Sequence, residues 1–238
     1  MEISEYKHLR NIKLWLWNPS TRESMVLPCT RFSHRSNFTC GLGYDSTSND
    51  YKIFKINGDR SRNEILALKS GSWRKIDKHP AGIYPVWRSM DSPAFLHDAF
   101  HWVCSLKKSV VSFNISNEMY AELPMPDVRL VLGGMLCVYS THAHKNKYNF
   151  NLWVMKDYGV EESWNKLFNL QSTNLYPISP KYCFSDGEVL LRCEHLVHKR
   201  FVFKTSKQSF DSWPQSDSER LVNGIVYTES LISPKSLA

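Results

Sequence analysis

Histidines and cysteines occur at two points of the 238-residue chain at spacings that could hold a metal ion. His142 and His144 are one residue apart, and so are Cys193 and His195, with His198 close behind. Alternate residues of a strand share a face, so either pair could present two ligands together. However, the sequence offers no two such pairs at zinc-finger spacing. We expect no metal and no other cofactor, and we interpret these histidines as solvent-exposed loop residues.

Catalytic motifs are also lacking. Gly41-Leu-Gly-Tyr-Asp45 contains two glycines of a nucleotide-binding loop, but the third glycine and the following helix are missing. No serine lies in a GxSxG nucleophile elbow, and the carboxylates are scattered through predicted turns. We therefore expect no catalytic residues, and the sequence does not predict an enzyme.

Basic and aromatic residues suit a different chemistry, the binding of an acidic protein surface. Arginine and aromatic side chains are favoured as anchors of interfaces, and a positive field raises the association rate. The residues that we predict to bind such a partner are Arg60, Arg62, Tyr84, Trp87, Arg88, Lys107, Lys108, His142, His144, Lys145, Lys147, Tyr148, His198 and Lys199.

The elements that must position these residues are short β-strands. No long stretch shows helical periodicity, whereas β-rich runs alternate with turn residues throughout the chain. The runs form repeating units of a hairpin and two further strands, and the hairpins turn near Ser46–Asn49, at Asp98, at Gly133-Gly134 and at Asp186-Gly187. Four antiparallel strands per repeat are typical of a β-propeller blade. We predict an all-β propeller of about five blades.

The chain ends are expected to share the fifth blade. Glu219–Leu231 reads as a hairpin, while Ile12–Trp17 and Glu23–Leu27 read as a third and a fourth strand. We therefore predict a domain over residues 11–232 with tails at 1–10 and 233–238. An incomplete ring of six blades is the alternative.

The blade arrangement separates the loops into two sets. In a propeller, loops between strands 2 and 3 and between blades open on one face, which here holds the predicted binding residues. The irregular segments Asp77–Asp91 and Thr141–Tyr148 are expected to be its contact loops. The opposite face is expected to hold Asp45, Asp50, Asp98, Glu118, Asp157, Glu161, Glu162, Asp186 and Glu188.

Composition limits the class of protein. Hydrophobic residues make up 42% of the chain and charged residues 22%, which excludes disorder, and the formal net charge is +7. The polar N-terminus has no signal-peptide core, and no apolar run is long enough for a membrane span. The six cysteines contain no CxxC pair, so we expect reduced thiols and a cytoplasmic or nuclear location.

An ordered series of short motifs resembles the plant F-box-associated domain over about residues 11–232. The motifs are Leu16-Trp-Asn-Pro-Ser-Thr-Arg22 with Leu27-Pro28, Gly41-Leu-Gly-Tyr-Asp45, Asn49-Asp-Tyr-Lys52, Ser72-Trp-Arg-Lys75, Ser112-Phe-Asn114, Leu123-Pro124, Leu152-Trp-Val-Met155, Tyr158-Gly159, Ser163-Trp-Asn-Lys166 and Tyr227-Thr-Glu-Ser-Leu231.

The resemblance implies a substrate-recognition subunit of a Skp–cullin–F-box ubiquitin ligase. In that family an N-terminal F-box docks on a Skp-type adaptor, and the C-terminal domain binds the target. The F-box motif is not present in this sequence, so we expect adaptor binding only in a longer form. Two alternatives stay open: a nucleic-acid-binding propeller with a basic face, and a propeller enzyme with a site in its central channel.

Overall fold

A computed structural model shows that the described part of the chain is built mainly from antiparallel strands. It describes residues 2–8, 11–29, 38–57, 63–76, 92–104, 109–124, 136–144, 147–172, 175–183, 188–195, 200–204, 209–212 and 229–237. Within these ranges the only helical elements are two short 3₁₀ helices, Glu161–Ser163 and Pro234–Leu237. The predicted all-β class is confirmed.

The first compact unit, Met1–Pro124 with Tyr227–Ala238, contains three antiparallel sheets. The first sheet consists of β1 (Glu2–His8), β2 (Asn11–Asn18) and β3 (Glu23–Val26). The second consists of β4 (Phe38–Asp45), β5 (Asp50–Asn57), β6 (Glu64–Ala67) and β7 (Ser72–Lys75). The third consists of β8 (Ala94–Leu96), β9 (Ala99–Cys104), β10 (Ser109–Asn114) and β11 (Tyr120–Pro124).

The second compact unit, Met125–Val226, contains two antiparallel sheets. The fourth sheet consists of β12 (Cys137–His144), β13 (Lys147–Met155) and β14 (Trp164–Ser172). The fifth consists of β15 (Leu175–Cys183), β16 (Val189–His195), β17 (Arg200–Lys204) and β18 (Ser209–Ser212).

The predicted four-stranded repeat is confirmed in the second, third and fifth sheets, whose strands lie side by side in chain order. The β4–β5 and β8–β9 hairpins turn where the sequence placed them. His97 and Asp98 both have positive φ, at 49° and 57°, as a type I′ turn requires. In the fourth sheet the predicted first strand, before Gly133, lies outside the described residues.

The first sheet differs from the prediction. Residues 2–8, which we expected to be a tail, form β1 and pair along their whole length with β2. The neighbour of β2 in this sheet is therefore an N-terminal strand and not the predicted C-terminal hairpin. Most of that hairpin, residues 219–228, lies outside the described residues, and residues 229–233 are not in a strand.

The C-terminal segment is nevertheless fixed to the first sheet, at the β2–β3 turn. The Asn18 amide donates to the carbonyls of Ser230 and Ile232, both at 2.8 Å, and its Oδ1 accepts from the Ser20 amide at 2.9 Å. Beyond it, Leu237 packs against the core between the first and second sheets. The segment Trp17-Asn-Pro-Ser-Thr is therefore a structural turn.

The Gly41-Leu-Gly-Tyr-Asp45 segment lies in β4, where it brings the second sheet close to the third. A Cβ added at Gly43 would lie 2.4 Å from the Phe95 ring, and one at Gly41 would lie 2.8 Å from Phe100 and from Pro93. Phe100 in turn contacts Phe54, with ring centroids 5.3 Å apart. These glycines are explained by ring packing, and a nucleotide loop is not needed to account for them.

We expect Gly43→Ala to lower the free energy of unfolding by about 1–3 kcal/mol, because its methyl group overpacks the Phe95 ring. Urea denaturation would measure the loss. In a Phe95→Ala background the same substitution should cost much less, since the clashing ring is gone. Equal costs in the two backgrounds would show that the ring is not what excludes a side chain at this position.

The fourth sheet packs one of its faces on the fifth. Phe150, Leu152 and Val154 of β13 form a buried cluster with Val189 and Leu191 of β16. Since side chains alternate along a strand, the residues between them on β13 belong to the opposite face of the fourth sheet.

Candidate partner-binding site

A polar face of the fourth sheet is the candidate site. Register pairs His142 with Asn149 and Ser140 with Asn151 between β12 and β13. On β14, Gln171 lies opposite Asn149, and Asn169 lies opposite Asn151. We call this surface the amide face, and its residues are Ser140, His142, Lys147, Asn149, Asn151, Asn169 and Gln171, with Trp153 and Lys166 at its far end.

The amide face is buried along β12 and opens toward β14. Ser140 is 4% exposed and Asn151 6% exposed, whereas Asn169 in the same row is exposed. At the hairpin end His142 and Lys147 are exposed too. A partner would therefore reach these side chains from the β14 edge and from the hairpin end.

Asn169 fixes the orientation of its two neighbouring amides. Its Nδ2 donates to Oδ1 of Asn149 at 2.6 Å and to Oδ1 of Asn151 at 2.8 Å. Each neighbour therefore uses its acceptor within the sheet, and its Nδ2 has no partner among the described residues. The arrangement leaves two hydrogen-bond donors available and pre-oriented.

Charge on the amide face is positive only. Lys147 lies at the hairpin end, and Lys166 lies over the Trp153 ring at 5.2 Å. None of the described residues of this face is a carboxylate. Both lysines are exposed, so salt screens their field. The surface can accept an anion and several hydrogen-bond acceptors at once.

The structure brings together part of the predicted binding set. His142 and Lys147 lie on the amide face, and His144 ends β12 opposite Lys147. Tyr148 belongs to the other face, which also holds Phe150, so its inclusion with Lys147 is not supported. The other predicted residues lie outside the described part of the chain: Arg60, Arg62, Tyr84, Trp87, Arg88, Lys107, Lys108, Lys145, His198 and Lys199.

The prediction of a long irregular loop over Thr141–Tyr148 was wrong. β12 continues to His144 and β13 starts at Lys147, so the two strands extend almost to the hairpin tip. A loop was predicted because histidine, lysine and asparagine dominate this segment. In a strand whose face is polar, those residue types are compatible with regular pairing.

The asparagines of the amide face were not predicted as binding residues from the sequence. Asn149 and Asn151 alternate on β13 with Tyr148, Phe150 and Leu152. This alternation of polar and apolar residues was the available signal, and it indicated a two-sided strand with one polar face. Their link to Asn169 could not be read from the sequence, because register between strands is set by tertiary structure.

The carboxylates predicted for the opposite face do not form one acidic surface. Asp45 is buried and accepts hydrogen bonds from Lys52, Ser48 and Ser116 at 2.5–2.6 Å and from the Thr47 amide at 3.0 Å. Burial alone would raise the pKa of Asp45, but these bonds outweigh it and hold the pKa well below its usual range.

The remaining carboxylates of this set have varied surroundings. Asp50 is buried too and accepts from the Lys69 amide, and Glu118 pairs with Arg74. Asp98, Asp157, Glu161 and Glu162 are exposed, Glu188 is half-buried, and Asp186 lies outside the described residues. Asp45 and Asp50 therefore stabilise turns and are unavailable to a partner.

The described residues contain no group of three or more His, Cys, Asp or Glu that could hold a metal ion. They also contain no helix long and apolar enough to cross a membrane.

Comparison with known proteins decides the family. The sequence profile of the F-box associated beta propeller domain matches residues 5–234, nearly the whole chain. The chain belongs to this family. The match begins within β1, at residue 5, and it extends to the C-terminal segment held by Asn18.

Curated relatives of this F-box-associated domain are F-box proteins of Arabidopsis thaliana. F-box protein At3g07870 is 32% identical over 203 residues, which are 68% of this chain and 47% of that protein. F-box/kelch-repeat protein At3g23880 is 25% identical over 94% of this chain and 65% of its own length. F-box protein CPR1 is 26% identical over 66% of this chain and 48% of its own length. The domain thus spans about half to two thirds of these relatives.

Proposed function

We propose that this F-box-associated β-propeller domain binds the target protein of a Skp–cullin–F-box ubiquitin ligase and performs no catalysis itself. The observation that supports this best is the amide face, a partly exposed surface of oriented donors and lysines without a described carboxylate. Such a surface is suited to recognition of an acidic protein. Its setting is the cytoplasm or the nucleus, where ubiquitin ligases act.

The amide face of the second compact unit is proposed to bind the target, while the role of the predicted basic loops stays a prediction. Lys147 begins β13 at the hairpin end, and in the sequence it follows Lys145 and Asn146. Positive residues at an interface rim raise the association rate for an acidic partner, and salt screens this effect. The Skp-type adaptor is a partner only of a form that contains an F-box.

The function can be tested by joining the F-box segment of At3g07870 to the N-terminus of this chain and expressing the chimera in plant cells. With the proteasome inhibited, we expect ubiquitinated proteins with acidic surfaces to co-purify with the chimera and not with the F-box segment alone. Charge reversal at Lys145 and Lys147 should remove them and flatten the salt dependence of binding.

Lys156→Glu is the matched control, since Lys156 is an exposed lysine of the same unit outside the amide face. It should leave the captured set unchanged. Capture that is the same for the F-box segment alone, or equal loss in the control and the double reversal, would contradict the proposal.

A further inference from the structure

We infer that the amide face binds an extended peptide segment with acidic side chains at alternate positions. This deepens the proposed function and rests on it in one respect, that the target is a protein. The inference is drawn from the spacing, orientation and charge of Lys147, Asn149 and Asn151.

The spacing of the donors matches an extended partner. Lys147, Asn149 and Asn151 are alternate residues of one strand, so their side chains repeat every ~7 Å along β13. Alternate side chains of an extended peptide repeat at the same interval. Carboxylates at every second position can therefore meet the ammonium group and the two amide groups in turn.

The orientation of the donors is set before any partner arrives. Asn169 holds the Oδ1 atoms of Asn149 and Asn151, so the side of each amide that is left for a ligand is Nδ2–H. Hydrogen bonds from such groups to a carboxylate are stronger than those to a neutral acceptor. Asn169 is thus a positioning residue, and it gives the surface a preference for acceptors.

A buried hydroxyl extends the array toward β12. Ser140 lies opposite Asn151, is 4% exposed, and its Oγ has no hydrogen-bond partner among the described residues. Buried polar atoms are normally satisfied, so an unpartnered one beside two oriented donors points to a ligand acceptor at this position. It is a second observation that is independent of the surface charge.

A protein fits this face better than a nucleic acid. Single-stranded nucleic acids need aromatic platforms for their bases, and on the described part of this face the aromatic side chain is Trp153. Lys166 already lies over that ring, 5.2 Å from its centroid. With few aromatics and several amides, the surface is suited to carboxylates.

The test uses the whole chain and a capped peptide of alternating glutamate and threonine, with alternating glutamine and threonine as the uncharged probe. At low salt we expect the glutamate peptide to shift the side-chain amide resonances of Asn149 and Asn151 in isotope-labelled protein, and the glutamine peptide to leave them in place. Lys147→Glu should weaken glutamate-peptide binding roughly fivefold, and Asn169→Ala should weaken it roughly tenfold.

Lys156→Glu should bind the glutamate peptide like the unmodified chain, because Lys156 lies outside the face. Circular dichroism would check that each variant is folded. If Asn169→Ala does not fold, Lys147→Glu still decides, since its side chain is exposed at the hairpin end.

The inference would be overturned by equal binding of the two peptides, by binding unaffected by both substitutions, or by tighter binding of an oligothymidylate than of the glutamate peptide. No binding of the glutamate peptide would also overturn it. If the chimera still captured ubiquitinated proteins in that case, the proposed function would stand while the peptide site would not.

Discussion

Replacing Glu64 with glutamine should lower the free energy of unfolding by about 3–5 kcal/mol, because it leaves the buried Lys55 ammonium without its opposite charge. The two side chains face each other between β5 and β6, with Nζ 3.0 Å from Oε2. Their side chains are 3% and 2% exposed. Lys55 also lies over the Phe38 ring, 5.0 Å from its centroid. An unpaired charge at this position has no water to solvate it.

A second ion pair of the same unit provides the matched control. Arg74 pairs with Glu118 at the surface, where their side chains are 52% and 28% exposed. Glu118→Gln should therefore cost less than about 1 kcal/mol. A double replacement of the buried pair, Lys55→Met with Glu64→Leu, should recover most of the loss, since well-packed apolar residues often match a buried pair in stability.

Hydrogen exchange of the β5 and β6 amides would measure these effects locally, which is preferable in a chain of two compact units. Similar costs for Glu64→Gln and Glu118→Gln would contradict the buried-pair account. Failure of the double replacement to recover stability would show instead that the pair contributes net free energy.

The strand order of most sheets could be predicted because local signals agree with it. Turn residues such as His97-Asp98 and Ser46–Asn49 separate short β-rich runs, and hairpin pairing joins neighbours in sequence. The strand over residues 2–8 was missed, since its polar composition gives no core-facing pattern by itself. The strand is held by its backbone pairing with β2, and no sequence motif predicts that pairing.

The candidate site was predictable in its charge and not in its geometry. Lys147 and His142 were recognised as partner-binding candidates from their chemistry alone. Whether a residue shares a face with them depends on strand register, and a change of one position moves a side chain to the other face. Tyr148 lies on the opposite face from Lys147, so its role as a binding residue stays a prediction, and Asn169, which is far away in sequence, was not among the predicted residues.

Buried polar residues were the least predictable feature. Lysine, glutamate, aspartate and histidine are usually exposed, and sequence gives no indication of which ones find partners inside. Lys55, Glu64, Asp45 and His101 are all buried here. An opposite charge or hydrogen bonds accompany each of them, and the partners come from neighbouring strands and from turns.

Lowering the pH from 6.5 to 4 should cost the chain about 3 kcal/mol of stability through His101 alone, at about 1.4 kcal/mol for each unit of pKa. His101 is fully buried in β9, and burial lowers its pKa from 6.5 to about 4. Hydrogen bonds with the backbone of Ala94 and Ala99 oppose that shift, while the nearby His97 adds to it.

The sign follows from which state binds the proton. Between pH 6.5 and 4 the unfolded chain protonates this histidine and the folded chain does not, so stability is fully present above pH 6.5 and falls as the pH drops. Asp45 contributes little to the change above about pH 5, because its stabilisation is lost only as the unfolded carboxyl binds protons, near and below the ordinary aspartate pKa of 3.8.

Urea denaturation at several pH values would measure the slope in the unmodified chain, in His101→Gln and in His142→Gln. In His101→Gln, most of the decline in unfolding free energy between pH 6.5 and 5 should disappear, because glutamine cannot bind a proton at this position. His142→Gln should keep the decline, because His142 is exposed. An unchanged slope in His101→Gln would show that acid destabilisation originates elsewhere and that the β9 interior tolerates a charged imidazole.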